Sequence, residues 1–139
     1  MINKYGNTDS YNSEPWILKM FQQPEWFDPC PYDNNPNNDG LDIEWKDKTY
    51  VNPPYSKPMP WIEKAIEESN KGKIVVMLLK VDTSTRWFAK IHESKAQILW
   101  INGRLRYRKD SYERFDNTPV PWASMLVIFK QKKKQEDEE

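Results

Sequence analysis

Three features of this 139-residue chain predict an α/β fold, a compact single domain around a mostly parallel sheet. Residues 74–79, Ile-Val-Val-Met-Leu-Leu, form an unbroken apolar run of strand length, the pattern of a strand covered on both faces. Just before it, 61–71 place Trp61, Ile62, Ala65 and Ile66 on one helical face. Two shorter runs, Trp26-Phe27 and Tyr50-Val51, stop abruptly at prolines, which fix φ and cannot donate to a ladder. Strand and helix then alternate, the order of a parallel sheet with crossover helices.

Taken in order, residues 1–12 are polar and aperiodic and read as a flexible arm. The domain spans 13–130. It opens with Ser13 as cap and Pro15 in the first turn of a short helix carrying Trp16, Ile17, Leu18, Met20 and Phe21, which Pro24 ends. Trp26-Phe27 is a short strand stopped by Asp28-Pro29-Cys30-Pro31, and an Asn/Pro/Asp-rich loop over 33–40 follows. Asp39-Gly40-Leu41 and Trp45 precede the strand that ends at Val51. In the helix over 61–71, Glu67 is placed to pair with Lys71, and Gly72 stands where a C′ glycine belongs. Thr83, Ser84 and Thr85 offer caps for a helix with Trp87, Phe88 and Ile91. A strand over 97–101, a turn at Asn102-Gly103 and an extended piece over 104–107 suggest a hairpin near the end, and 124–129 is the last strand. Residues 131–139, a basic block followed by four acids, read as a disordered charged tail.

Composition narrows the chemistry. One cysteine, Cys30, excludes an internal disulfide and a cysteine-rich zinc site, and one histidine, His92, excludes His clusters, so no metal site is expected. A Cys30/His92 nucleophilic pair has no motif around either residue; His92 reads as a helix-end surface residue. The 21 basic and 21 acidic residues cancel, so a nucleic-acid partner requires charge gathered locally, as in Arg104, Arg106, Arg108, Lys109 and Arg114. No apolar run has the length of a membrane span and no signal peptide is present, which predicts a soluble, cytoplasmic protein.

The most informative stretch is Asn52-Pro53-Pro54-Tyr55. The Asn52 side-chain oxygen and the Pro53 carbonyl both accept hydrogen bonds, and the prolines hold them in a fixed relation. A planar amine suits two such acceptors, since binding its hydrogens turns the nitrogen lone pair out of conjugation toward an electrophile. The Tyr55 ring can stack on the heterocycle, at about 1–3 kcal/mol per base. The bland alternative is a proline-rich surface turn. Asp28 suits a cationic or hydroxyl-bearing cofactor, or else a turn before proline.

Together these segments resemble the phage-type DNA N-6-adenine methyltransferases (Dam-like), of the class I S-adenosylmethionine-dependent fold. The resemblance covers about 13–130. It rests on Asp28-Pro29-Cys30, Asp39-Gly40-Leu41 with Trp45, Asn52-Pro53-Pro54-Tyr55-Ser56 with Trp61, Leu78-Leu79 with Asp82-Thr83-Ser84-Thr85-Arg86-Trp87-Phe88, Gly103-Arg104-Leu105-Arg106-Tyr107, and Pro121 through Phe129. It implies a Rossmann-like sheet, mostly parallel with an antiparallel strand near the C-terminus. Asn52, Pro53, Pro54 and Tyr55 become the catalytic motif. Asp28, Pro29, Cys30, Asp39, Leu41 and Asn52 become contacts of S-adenosyl-L-methionine, with Asp39 on its adenine amine and Asp33 as a guess for its ribose. Tyr55, Arg104, Arg106, Arg108, Lys109 and Arg114 become contacts of DNA whose target adenine is flipped out or single-stranded.

There are departures: Glu14-Pro15 stands where Thr-Pro is usual, no G-x-G loop follows the first strand, and Lys80 replaces a usual proline. The resemblance places the protein in the host cytoplasm if a virus encodes it, and a homodimer stays open. So do other planar acceptors (RNA adenine, cytosine N4, protein glutamine) and an inactive nucleic-acid-binding module of the same fold.

Overall fold

A computed structural model describes residues 15–30, 40–106 and 119–131. The arm over 1–12, the Ser13 cap, the loop carrying Asp33 and Asp39, and most of the tail lie outside the described residues.

Among the described residues four strands form the sheet, β1 (Lys48–Val51), β2 (Ile74–Lys80), β3 (Gln97–Trp100) and β4 (Ser124–Phe129), in the spatial order β1-β2-β4-β3. β1 pairs parallel with β2 from Lys48↔Ile74 to Val51↔Met77. β4 runs antiparallel to both neighbours, from Val75↔Phe129 to Lys80↔Ser124 on one side and from Gln97↔Ile128 to Trp100↔Met125 on the other. β1, β2 and β3 therefore point one way and β4 the other. Outside β1, Phe27 adds a parallel bridge to Thr49: its N–H donates to the Lys48 carbonyl (2.9 Å), and its own carbonyl accepts from Tyr50 N–H (2.8 Å). The expected strand at Trp26-Phe27 is thus one ladder step long.

The apolar run over 74–79 becomes the interior strand β2, with Val75 through Leu79 all buried. Its alternate residues serve two faces. Val75, Met77 and Leu79 join Trp45, Val51, Trp61, Ile62, Ala65, Ile91, Met125, Val127 and Phe129 under the helices α2 (Met59–Ser69) and α3 (Arg86–Ser94). Val76 and Leu78 join Tyr50, Leu105, Val120, Leu126 and Ile17 of α1 (Pro15–Phe21) on the other. There Phe21 stacks on Tyr50 at 4.6 Å and meets the Trp26 edge at 4.9 Å. Each such fully buried large apolar side chain contributes about 1.5–3 kcal/mol.

Local chemistry sets the helix ends. α2 begins earlier than its apolar face suggests, since Pro60 falls in the first turn, where its missing N–H costs nothing. α3 is capped by Thr85, whose Oγ1 accepts from Phe88 N–H at 3.1 Å, and closes on Lys95 in the left-handed conformation (φ 62°). The expected pair of Glu67 with Lys71 is replaced: Lys71 reaches Glu68 at 3.4 Å. Glu68, fully buried, also meets Lys64 (3.3 Å) and Lys73 (2.5 Å), and Lys73 donates in addition to Glu44 (3.0 Å) and to the Trp45 carbonyl. Burial opposes ionisation of Glu68, but the hydrogen bonds and charges of Lys73 and Lys64 prevail and hold its carboxyl below the usual range.

The expected hairpin of 97–101 with 104–107 is not what pairs: β3 lies against β4, and the piece after Gly103 pairs with the residues that lead into β4. Past the Asn102-Gly103 bend (Gly103 φ 79°), the two legs stay together: Val120 N–H donates to the Leu105 carbonyl at 2.9 Å, and Arg106 bridges Pro119. Among the described residues no helix is long and apolar enough to cross a membrane.

Candidate active site

Parallel strands that stop together leave their following loops side by side at one sheet edge. The Phe27↔Thr49 bridge does this for the two proline-stopped segments, so Asp28-Pro29-Cys30 and Asn52-Pro53-Pro54-Tyr55 emerge from adjacent strands at the carboxyl edge of the sheet. The ends of β2 and β3 and the start of β4 share that edge.

On the first loop, Asp28 Oδ1 accepts from Cys30 N–H at 2.9 Å, the hydrogen bond of an Asx turn. Although Asp28 is exposed at its outer side, burial of its surroundings pushes its carboxyl up to about 6, against the lowering effect of the Cys30 N–H. Pro29 is buried and Cys30 half-buried. Burial first, and the nearby Asp28 charge second, push the Cys30 thiol up to about 12, so it stays protonated at neutral pH. His92 is exposed in the last turn of α3. The thiol is no nucleophile. No cluster of metal-ligating side chains occurs among the described residues.

The 3₁₀ turn Gly40–Asp42 closes against this loop. A Cβ on Gly40 would lie 2.1 Å from the Pro29 carbonyl oxygen and 2.9 Å from Pro29 Cβ, so only glycine permits the approach. The Gly40 carbonyl accepts from buried Trp45 Nε1–H at 2.8 Å, which ties the turn to the core. Leu41 is half-buried and packs against that core. Asp28, Pro29, Cys30 and Leu41 are thus gathered in one neighbourhood.

On the second loop Asn52, Pro54 and Tyr55 are half-buried and Pro53 buried. The Tyr55 ring meets the Trp122 ring edge-on, with centroids 4.9 Å apart and planes at 67°. Trp122 stands two residues before β4, and the Lys80 ammonium lies over its ring, 5.7 Å from the centroid. Read from the sequence, neither residue has a role in the site: Lys80 is only a departure from a usual proline, and Trp122 only part of the segment from Pro121 to Phe129. The signal was present in Pro119-Val120-Pro121-Trp122, where prolines again fix an aromatic at a strand end.

Arg104 and Arg106 are exposed on the β3–β4 arm, which leaves from the same edge; Arg104 Nη1 donates to the Val120 carbonyl at 3.4 Å. Arg108, Lys109 and Arg114 lie outside the described residues.

Comparison with known proteins gives the family. Residues 9–138 match the family model described as DNA N-6-adenine-methyltransferase (Dam). The chain is 34% identical over 147 residues to the DNA N-6-adenine-methyltransferase of Haemophilus phage HP1 (strain HP1c1), covering 93% of this chain and 83% of that protein. A shorter match, 39% over 64 residues, joins 46% of this chain to 27% of the DNA N-6-adenine-methyltransferase of Escherichia phage T1. No solved structure matches.

Proposed function

Because this chain belongs to the DNA N-6-adenine-methyltransferase family, we propose that it transfers a methyl group from S-adenosylmethionine to the exocyclic N6 amine of adenine in DNA. The observation that carries the assignment to residues is the bridge at Phe27. It sets a carboxylate loop suited to a cation beside a rigid loop suited to a planar amine.

The residues present fit the cofactor. A carboxyl raised to about 6 by its surroundings gains most from a cationic partner, and the methionine end of S-adenosylmethionine carries one. Asp28, Pro29, Cys30 and Leu41 would hold the cofactor, with Asp39 completing the contact from outside the described residues. When bound, the cofactor supplies an electrophilic methyl on a sulfonium, so the protein need provide neither metal nor strong base. Its own work is orientation: Asn52 and the Pro53 carbonyl accept the amine's hydrogens, and Pro54 keeps the loop stiff. Alignment of this kind supplies about 7–11 kcal/mol of the barrier. Tyr55 stacks on an adenine that is flipped out or single-stranded, since a base inside a duplex is out of reach. The arm with Arg104 and Arg106 holds phosphates. The sheet is read as the Rossmann-like class I arrangement; same-direction Phe27, β1, β2 and β3, with antiparallel β4 between the last two, supports this. The host-cell cytoplasm is the compartment this reading assigns, as both relatives are phage proteins.

The test is nucleoside mass spectrometry of unmethylated duplex and single-stranded DNA incubated with the protein and isotope-labelled S-adenosylmethionine. Labelled N6-methyldeoxyadenosine from wild type, and none from Asn52→Ala despite near-normal cofactor affinity by calorimetry, is the expected result. Cofactor binding without labelled DNA moves the reading to an RNA or protein amide. No cofactor binding leaves an inactive module.

A further inference from the structure

β2 runs on through Leu78, Leu79 and Lys80 after its last pairing with β1 at Val51↔Met77, so its final residue stands beyond the end of β1, beside the Asn52 loop. Alternation along β2 puts Lys80 on the face of Val76 and Leu78, the face that also carries Tyr55 and Trp122. The residue is half-buried and its ammonium lies over the Trp122 ring. Among the described residues it has no ion-pair partner. Asp82, the nearest acid in sequence, is bonded to Ser84, whose N–H and Oγ–H both donate to Asp82 Oδ1 at 3.2 and 2.6 Å, and it feels the Lys80 charge only as a lesser, through-space effect without a direct ion pair. Directly across the ladder from Lys80 is Ser124, fully buried, whose Oγ has no hydrogen-bond partner among the described residues.

An ammonium that lies over an aromatic ring at the strand end and makes no ion pair among the described residues is available to an anion at that point. The reacting base stacks on the neighbouring Tyr55 in the function proposed above, on which this inference rests. The anion closest to a nucleobase held there is its own phosphodiester. We propose that Lys80 binds the backbone phosphate adjoining the methylated adenine, with the Trp122 ring holding its stem ready and the Ser124 hydroxyl free to orient the ammonium. It would extend the track of Arg104 and Arg106 from the arm down to the reacting nucleotide.

The experiment compares wild type, Lys80→Met, which keeps the stem over Trp122, and Lys80→Arg, which keeps the charge. Binding to an adenine-containing duplex oligonucleotide is measured against salt, and to the same oligonucleotide with single methylphosphonates flanking the mapped adenine. For Lys80→Met the expected result is a log–log salt slope smaller by about 0.9 and an affinity about eightfold weaker at 0.1 M salt, the loss of one phosphate contact. Cofactor affinity should be unchanged, and Lys80→Arg should restore the slope. One methylphosphonate position should weaken wild type but not Lys80→Met. A wild-type enzyme that methylates DNA while Lys80→Met keeps the full slope overturns this inference alone. A wild type that neither binds nor methylates DNA overturns it together with the function on which it rests.

Discussion

Replacing Gly40 by alanine probes whether the Gly40–Asp42 turn and the Asp28-Pro29-Cys30 loop must touch. The new methyl would meet the Pro29 carbonyl oxygen at 2.1 Å and the carbonyl carbon at 2.8 Å, where real contacts stay beyond 3.0 Å. Backbone cannot swing aside as a side-chain tip can, so Pro29 or the 3₁₀ turn must move by about 1 Å. Overpacking of this kind costs about 1–3 kcal/mol, and two backbone clashes in a buried position put Gly40→Ala near the upper end. For a domain of this size that lowers Tm by about 10 °C. The movement is transmitted to Asp28, one residue from Pro29, and a 1 Å misplacement costs about 100-fold in turnover. Thermal melts and cofactor titration by calorimetry measure both effects. Gly103→Ala is the control: its φ of 79° carries strain, but nothing lies within 4 Å, so it should cost about 1 kcal/mol and leave cofactor affinity intact. A Gly40→Ala protein within about 2 °C of wild type in Tm and with unaltered cofactor affinity would refute the contact.

Three further predictions concern charge and stacking. Asp28 is raised to about 6, so its favourable, protonated contribution to stability is complete below about 4 and lost as pH rises through 6. A cation bound beside it reverses the preference, so cofactor affinity should climb from pH 5 to about 6.5 with proton release. Asp28→Asn should abolish that slope, and a flat wild-type profile would sink the idea. Glu68→Gln leaves Lys64, Lys71 and Lys73 around a neutral amide and should destabilise by about 3 kcal/mol in urea melts without changing kcat below the transition. In wild type the Glu68 contribution is present above the ordinary carboxylate range and lost as pH falls through its depressed value. Tyr55→Phe should retain turnover, while Tyr55→Ala should weaken DNA binding by about 10- to 100-fold; a dead Phe variant would mean the hydroxyl matters rather than the ring.

Much of this was legible because the signals were local. The apolar run of β2, the Thr85 cap and the residues of β4 follow from periodicity and capping alone. So did the idea that Phe27 and Val51 end strands, though nothing in the sequence announces that the two lie adjacent; that needed the register at Thr49. Non-local pairings were the illegible part. Lys73 takes Glu44 from 29 residues away, and Glu68 was passed over in favour of Glu67 because helical spacing cannot say which carboxylate faces inward. Trp122 and Lys80 escaped for the same reason, since their meeting depends on antiparallel β4 lying against β2. The expectation of a mostly parallel sheet holds for strand direction, whereas both ladders made by β4 are antiparallel.

The placing of β4 between β2 and β3 separates the order in which the chain is made from the order in which it is assembled. Among the described residues β3 pairs with the sheet only through β4, so when a ribosome has released 97–100 that strand still waits for its partner. The buried edge of β2, with Leu78 and Leu79, is likewise open until 124–129 emerge. Closing the sheet is therefore a late, non-local event that must wait for nearly the whole domain, and the nascent chain carries an uncovered apolar strand in the meantime. A chain stalled or cut between β3 and β4 would not be a smaller methyltransferase but an aggregation-prone half-sheet, and activity should appear only after residue 129 clears the exit tunnel.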